Sequence, residues 1–263
     1  MLDEAKAREA ARLIAAHWQS GRQMEALPTD LRPQSREEGY AIQAHLEQAS
    51  ERPLFGWKIA ATSVGGQQHI GADGPLAGRL FSERVLTDGE ATSLEGNHMA
   101  VAEPEFAFRM ARPLHPRPRS YDVDEVLAAV GALHLAIELP GSRFVDFASV
   151  GAPQLIADNA CTHEFLPGPA ADESWRGLDL SRQEVTAIVP GKAEQRGSGG
   201  AVLGDPRVAL TWLANELSSL GLALEEGQVV TTGTTTVPLP IQPGDQVRAD
   251  FGQLGAVTLQ IGR

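Results

Sequence analysis

The sequence predicts an α+β fold, with a small helical layer over residues 1–50 and a sheet-rich domain over residues 51–263. Three observations carry that expectation. Glycine and proline make up 44 of the 263 residues, above the roughly one in eight of average chains, so turns are frequent. Before residue 50 the apolar residues recur at helical spacing. From Pro53 onward they fall in short runs punctuated by glycine and proline, which is the texture of strands.

Each element follows from local chemistry. A first helix is expected from an Asp3 cap to Ser20, where Ser20-Gly21 is a stop signal; Leu2, Leu13, Ile14 and Trp18 are its apolar positions. A second starts near Ser35, with Glu38 placed as the capping-box partner, and runs through Ile42 and Leu46. Strands are expected in the runs LFGWKIAATS (54–63), MAVAEPEFAFRM (99–110), ALHLAIEL (132–139), EVTAIVPG (184–191), GQVVTTGTTTV (227–237) and AVTLQI (256–261). A helix is expected from Tyr121 to Val130, capped by Asp122 or Asp124. Another spans Pro206 to Leu220, with Val208, Leu210, Trp212, Leu213 and Leu217 apolar, Pro206 in the first turn and Gly221 after the end.

Composition excludes several roles. A formal charge of −12 argues against nucleic acid, whose phosphates need a basic stripe, and against an anionic membrane surface. A small anionic substrate stays possible, because a bound metal inverts the local potential. Cys161 is the sole cysteine, so no intrachain disulfide forms and a reduced, cytoplasmic setting is expected. No stretch approaches the ~18 apolar residues of a membrane span, and the N-terminus lacks a secretory h-region.

Common motifs fail on inspection. Gly197-Ser198-Gly199-Gly200 is not a dinucleotide fingerprint, because Val202 stands where the last glycine belongs. Gly191-Lys192 lacks the rest of a phosphate loop, and no G-x-S-x-G elbow exists. The seven histidines show no zinc spacing, and His98 and His134 read as structural.

Glu103 and Glu105 carry chemistry. In a strand, residues two apart share a face, so these carboxylates project together, roughly 6.5–7 Å apart along the chain. Phe106 and Phe108 then take the positions that pack into the core. Two carboxylates in an apolar strand lose hydration and repel each other, and a divalent cation resolves the conflict. Glu138 ends a second apolar strand and is the third candidate ligand. Oxygen-only ligands favour Mg²⁺ or Mn²⁺. The competing reading pairs these acids with arginines such as Arg109 and Arg143. Pro104, between the two acids, implies an edge or a bulge.

Lys58 is the second signal. The chain has three lysines against nineteen arginines, and only Lys58 lies in an apolar run. A lysine can trade a proton where an arginine cannot. The alternative is a stem packed along the sheet with its head in water.

The ordered set GWKIAATS, AEPEFAF, AIELPGSRF, IADNA, GSGGAVLGDPRVALTWLANEL, GQVVTTGT and IQPGDQVRADFGQLGAV resembles the 2-keto-4-pentenoate hydratase and 4-oxalocrotonate decarboxylase group of the fumarylacetoacetate hydrolase superfamily, from about Arg36 to Val257. The resemblance implies a mixed β-roll with surrounding helices, usually assembled as a homo-oligomer. It implies a divalent metal on Glu103, Glu105 and Glu138, proton transfer by Lys58, and a small 2-oxo acid chelated through its 2-oxo and 1-carboxylate oxygens. Thr234 matches the segment lining the substrate pocket. One departure stands out: Pro75-Leu76-Ala77-Gly78-Arg79 has Leu76 where the family hydratases carry an acid. Arg79 is therefore a candidate for gripping a second substrate carboxylate bidentately, the bland alternative being a surface pair with Glu83.

The leading expectation is a hydro-lyase of aromatic or related catabolism that adds water to a 2-hydroxy-2,4-dienoate, through its 2-oxo-3-enoate, to give a 4-hydroxy-2-oxo acid. The rivals are a 2-oxo-3-enedioate decarboxylase, suggested by Leu76 and Arg79, an acylpyruvate-type C–C hydrolase, and a non-catalytic oligomer that binds metal or keto acid.

Overall fold

The computed structural model describes residues 2–192 and 194–263, and opens with two helices. In α1 (Glu4–Ser20) the Asp3 side chain accepts from Lys6 N, as its cap position requires. α2 (Arg36–Leu46) begins where the Ser35 side chain accepts from Glu38 N. Glu38 does not return a bond to that cap. Its carboxylate accepts instead from Leu2 N and Gln34 N, both at 2.8 Å, and ties the start of the chain to the approach to α2. Ala7, Ala10 and Ile14 of α1 and Ile42 and Leu46 of α2 enter the same core as the sheet residues that follow.

Those sheet residues come from β1 (Leu54–Ala60), β2 (Leu76–Phe81), β3 (Ala91–Thr92), β4 (Val101–Met110), β5 (Val130–Leu139), β6 (Glu164–Ala170), β7 (Glu184–Ile188), β8 (Gln195–Ser198), β9 (Val229–Thr234), β10 (Leu239–Pro240), β11 (Gln246–Asp250) and β12 (Ala256–Ile261). One sheet runs β2-β1-β9-β4-β5-β6, with β10 added to β4; the other runs β3-β12-β11-β7-β8. β1 pairs with β9 in parallel and its other neighbour antiparallel, so the sheet is mixed. The intervening helices are α3 (Val64–Ile70), α4 (Val123–Leu127), α5 (Ala152–Ala157) and α6 (Pro206–Ser219). This is the expected α+β architecture, helices laid about two sheets. No helix among the described residues is long and apolar enough to cross a membrane.

Several boundaries differ from expectation for local reasons. The helix expected over 121–130 is only α4, opened by a reciprocal Asp122–Glu125 capping box and cut short because Val130 is already paired with Met110 in the sheet. β9 stops at Thr234, just past Gly233 at φ +105, a backbone angle that glycine adopts without strain. β2, β6, β8 and β11 were not among the expected strands, since glycine, proline or charge interrupts their apolar runs. In α6 the expected apolar position Val208 is exposed.

Alternation splits the larger sheet into two unlike faces. Trp57, Ile59, Phe106, Phe108, Leu135, Ile137 and Val230 point into the main core. There Phe106 meets Phe251 edge-on, with ring centroids 5.1 Å apart, and joins the two sheets. The opposite face carries Lys58, Gly78, Glu103, Glu105, Glu138 and Thr231, beside a separate apolar cluster of Leu80, Ala107, Ala136, Phe165 and Val229.

At the helical end, Trp18 Nε1 donates to His163 Nδ1 at 3.1 Å. Burial, with Arg84 and Arg143 nearby, pushes the His163 pKa down to about 3. The unfolded chain therefore takes up this proton first as pH falls below its ordinary value of about 6.5. Between pH 6.5 and 5 this one group is expected to remove about 2 kcal/mol of stability. Urea unfolding of wild type and His163→Asn across that range checks the prediction; the variant should show the flatter acid-side decline.

Candidate metal centre

The pairing of β4 with β5 builds the cluster. Glu103 lies directly opposite Glu138, and Glu105 follows two residues on, opposite Ala136, whose small side chain leaves the space open. The three carboxylates offer oxygen atoms that all lie within 4.8 Å of one another. Glu105 and Glu138 are buried and Glu103 is partly exposed, so it marks the open side of the site. Pro104 sits in an interior strand, and its missing N–H falls beside a register shift in the β4–β9 ladder, where one extra β9 residue is accommodated. Thr235 N and Oγ1 both bond to Pro104 O there, at 2.9 and 2.8 Å. Proline is tolerated at such a bulge.

Among the described residues, no arginine forms an ion pair with these acids. Arg143 is committed to Asp158, Nε to Oδ1 at 2.5 Å, and Arg109 is exposed farther along β4. Among the described residues, the one cation that contacts these acids is Lys58, whose Nζ is 3.1 Å from Glu138 Oε1. It also donates to Ala160 O at 3.0 Å. Burial by itself would lower the Lys58 pKa; Glu138, Glu103 and Glu105 outweigh it and raise it. The acids shift the same way. Loss of hydration and the Glu138 charge push Glu103 up to about 7, with Lys58 opposing. The same two causes, with Glu103 added, raise Glu105 well above the carboxylate range. Glu138 is raised by burial and restrained by Lys58.

Three carboxylates against one ammonium leave a formal charge of −2. At 4.8 Å and an effective dielectric constant of about 20, each like-charged pair repels by about 3 kcal/mol. Glu105 Oε1 and Glu138 Oε2 are buried without a hydrogen bond, Glu138 Oε1 has only the Lys58 ion pair, and unpaired buried acceptors are costly. A hard divalent cation meets both deficits, so the residues present fit one.

Glu105 is oriented by β9. Its Oε2 accepts from Thr231 Oγ1 at 2.5 Å and from Gly233 N at 2.8 Å, which leaves Oε1 free. Sequence reasoning singled out Thr234 instead. Thr234 pairs in register with Glu105, but its hydroxyl donates to Thr236 O at 3.0 Å. Thr231 lies in the same 231–234 stretch that the resemblance places at the substrate pocket, but its hold on Glu105 depends on the shifted antiparallel register of β4 with β9, which the sequence does not display.

Arg79 is a correction. Trp57, not Lys58, is its cross-strand partner, so alternation turns its side chain to the other face of the sheet. There the guanidinium lies 4.7 Å from the Trp57 ring centroid and bonds Glu47 and Gln43. It neither reaches the carboxylates nor pairs with Glu83, which accepts from Ser50 and from Glu51 N.

The residue paired with Lys58 is Gly78. A Cβ there would sit 2.5 Å from Asn159 O, 2.6 Å from Thr162 Oγ1 and 3.0 Å from Lys58 Cγ. Gly78→Ala is expected to destabilise the fold by about 2 kcal/mol. It should also lower kcat through Lys58, and urea unfolding with steady-state kinetics reads both effects.

Fold and site together define a class: a two-sheet α+β protein with a buried carboxylate–lysine centre on one sheet face. Residues 38–262 match the family described as fumarylacetoacetate (FAA) hydrolase C-terminal, and the chain belongs to that family. It is 32% identical over 252 residues to a 2-keto-4-pentenoate hydratase of Paraburkholderia xenovorans, covering 95% of this chain and 92% of that protein. It is 30% identical over 205 residues to a 4-oxalocrotonate decarboxylase of a Pseudomonas species, covering 77% of each. Its fold matches that of 4-oxalocrotonate decarboxylase from Pseudomonas putida G7, complexed with magnesium and adipate, at a TM-score of 0.90 and 24% identity over 99% of both chains.

Proposed function

We propose that this chain is a divalent-metal-dependent hydratase that converts a 2-hydroxy-2,4-dienoate to a 4-hydroxy-2-oxo acid. The observation that carries the reading is the convergence of Glu103, Glu105 and Glu138 around one buried lysine. The 32% identity to a hydratase over nearly the whole chain favours hydration as the outcome.

Glu103, Glu105 and Glu138 would hold Mg²⁺ or Mn²⁺, whose Lewis acidity polarises the 2-oxo group of a bound acid. The protein's own proton chemistry rests on Lys58. Its ammonium, 3.1 Å from Glu138 Oε1 and bonded to Ala160 O, is placed to enter as a proton donor. It delivers a proton to C5 of the dienol and recovers one from the 2-hydroxyl, giving the conjugated 2-oxo-3-enoate. Water then adds across C3=C4, with oxygen to C4 and hydrogen to C3. Thr234, on the partly exposed side, is proposed to line the pocket. A homo-oligomer is proposed on the same family resemblance; light scattering gives the particle mass, and that of a single chain contradicts it.

The decarboxylase reading leaned on Arg79 as the grip for a second carboxylate, and Arg79 is bonded to Glu47 and Gln43 on the far face. The test is incubation with 2-hydroxypenta-2,4-dienoate and Mg²⁺, following diene absorbance and product together. Formation of 4-hydroxy-2-oxopentanoate supports hydration. Mere ketonisation, no turnover, or CO₂ release from a 2-oxo-3-enedioate without hydration of the dienoate contradicts it.

A further inference from the structure

A strained turn stands behind Lys58. Asn159, Ala160 and Cys161 are consecutive and all left-handed, at φ 54, 51 and 60. None is glycine, and single left-handed residues are already uncommon outside glycine, asparagine and aspartate. Such strain persists only where surrounding structure enforces it, and it collects at functional sites.

The enforcing contacts are specific. The Asn159 side chain is buried, accepting from Arg79 N at 2.6 Å and donating to Arg79 O at 2.8 Å. It thereby satisfies the outer edge of β2 as a neighbouring strand would. Thr162 Oγ1 donates to Asn159 O at 2.6 Å and closes the turn. Gly141 N donates to Cys161 O at 2.8 Å, tying the other end to the segment that follows Glu138 in β5. The turn thus bridges the strand pair that carries Lys58 and the strand that carries Glu138. At its centre Ala160 O faces inward and takes the Lys58 ammonium at 3.0 Å.

We infer that Asn159 is a positioning residue for Lys58: its two-point clamp on β2 fixes the left-handed turn, and the turn's Ala160 carbonyl anchors one of the three ammonium N–H donors. An unanchored ammonium would be drawn among three carboxylates within 4.8 Å of one another. Anchored, it lies against Glu138 with donors left for a ligand. The catalytic consequence rests on the hydratase reading, whereas the anchoring does not.

The test uses Asn159→Gly, which accepts the left-handed backbone but lacks the clamp, and Thr162→Val, which keeps the shape and loses the closing bond. The expected result is a fall in kcat of about tenfold to a hundredfold, with KM and Mg²⁺ affinity within about twofold of wild type. The second readout needs no reaction. With only three lysines in the chain, ¹⁵N-lysine labelling resolves the Lys58 ammonium, and its slowly exchanging signal should broaden or shift in both variants while Lys6 and Lys192 stay put. An unchanged Lys58 signal in a folded variant overturns the inference. So do parallel losses of kcat and metal affinity, which mark a merely structural role. Should neither variant fold, the wild-type signal decides: slow exchange supports the anchor and fast exchange overturns it. A wild-type protein that hydrates no dienoate but shows the anchored signal fails the hydratase reading alone.

Discussion

Glu138→Gln is expected to lower kcat/KM by about 10³-fold, the equivalent of about 4 kcal/mol of transition-state stabilisation. Glu138 is wholly buried, lies opposite Glu103 in the ladder, and has Lys58 Nζ 3.1 Å from Oε1 while Oε2 is without a hydrogen bond. A glutamine there keeps the shape, removes one of three charges and turns an N–H donor toward the site. The same change relieves repulsion in the metal-free cluster, so the melting temperature in EDTA should hold or rise. The protection that Mg²⁺ gives should disappear. Activity and metal-free stability moving in opposite directions distinguishes a ligand from an ordinary ion-pair partner of Lys58, whose loss would lower stability and leave Mg²⁺ protection in place.

Lys58→Met is the second large effect. Removing the proton carrier should cost about 10³-fold in kcat, within the range of positioned acid–base groups. Here stability falls with activity. The ammonium is the only cation among the described residues that contacts the carboxylates, and deleting one partner of a buried ion pair costs about 3 kcal/mol or more. Added Mg²⁺ should return much of that stability and none of the rate. Lys58→Arg should not rescue turnover, because a guanidinium keeps the charge but does not release a proton. Thermal melts with and without Mg²⁺, beside steady-state rates, separate these contributions.

The acidic side chains were legible because a strand has a strict period of two. Glu103 and Glu105 had to share a face once the run around them was read as a strand, and Phe106 and Phe108 had to face the core, where both are fully buried. Lys58 was legible as the one lysine within an apolar run. Arg79 misled because β2 was not recognised as a strand, so there was no parity from which to see that it opposes Trp57. Thr231 and Gly233 hold Glu105 only through a register set by residues 126 and 128 positions away. The left-handed turn at 159–161 has no local signature either. Its angles are imposed by Arg79, Thr162 and Gly141, which lie on other segments or follow it in the chain.

Crystals soaked in Mn²⁺ and measured at the manganese edge test the centre most directly. One anomalous peak should appear about 2.2 Å from carboxylate oxygens of Glu103, Glu105 and Glu138 together, with Lys58 beside it and not among the ligands. A peak elsewhere, or none while the three acids share protons around Lys58, contradicts the assignment of this sheet face as a metal site.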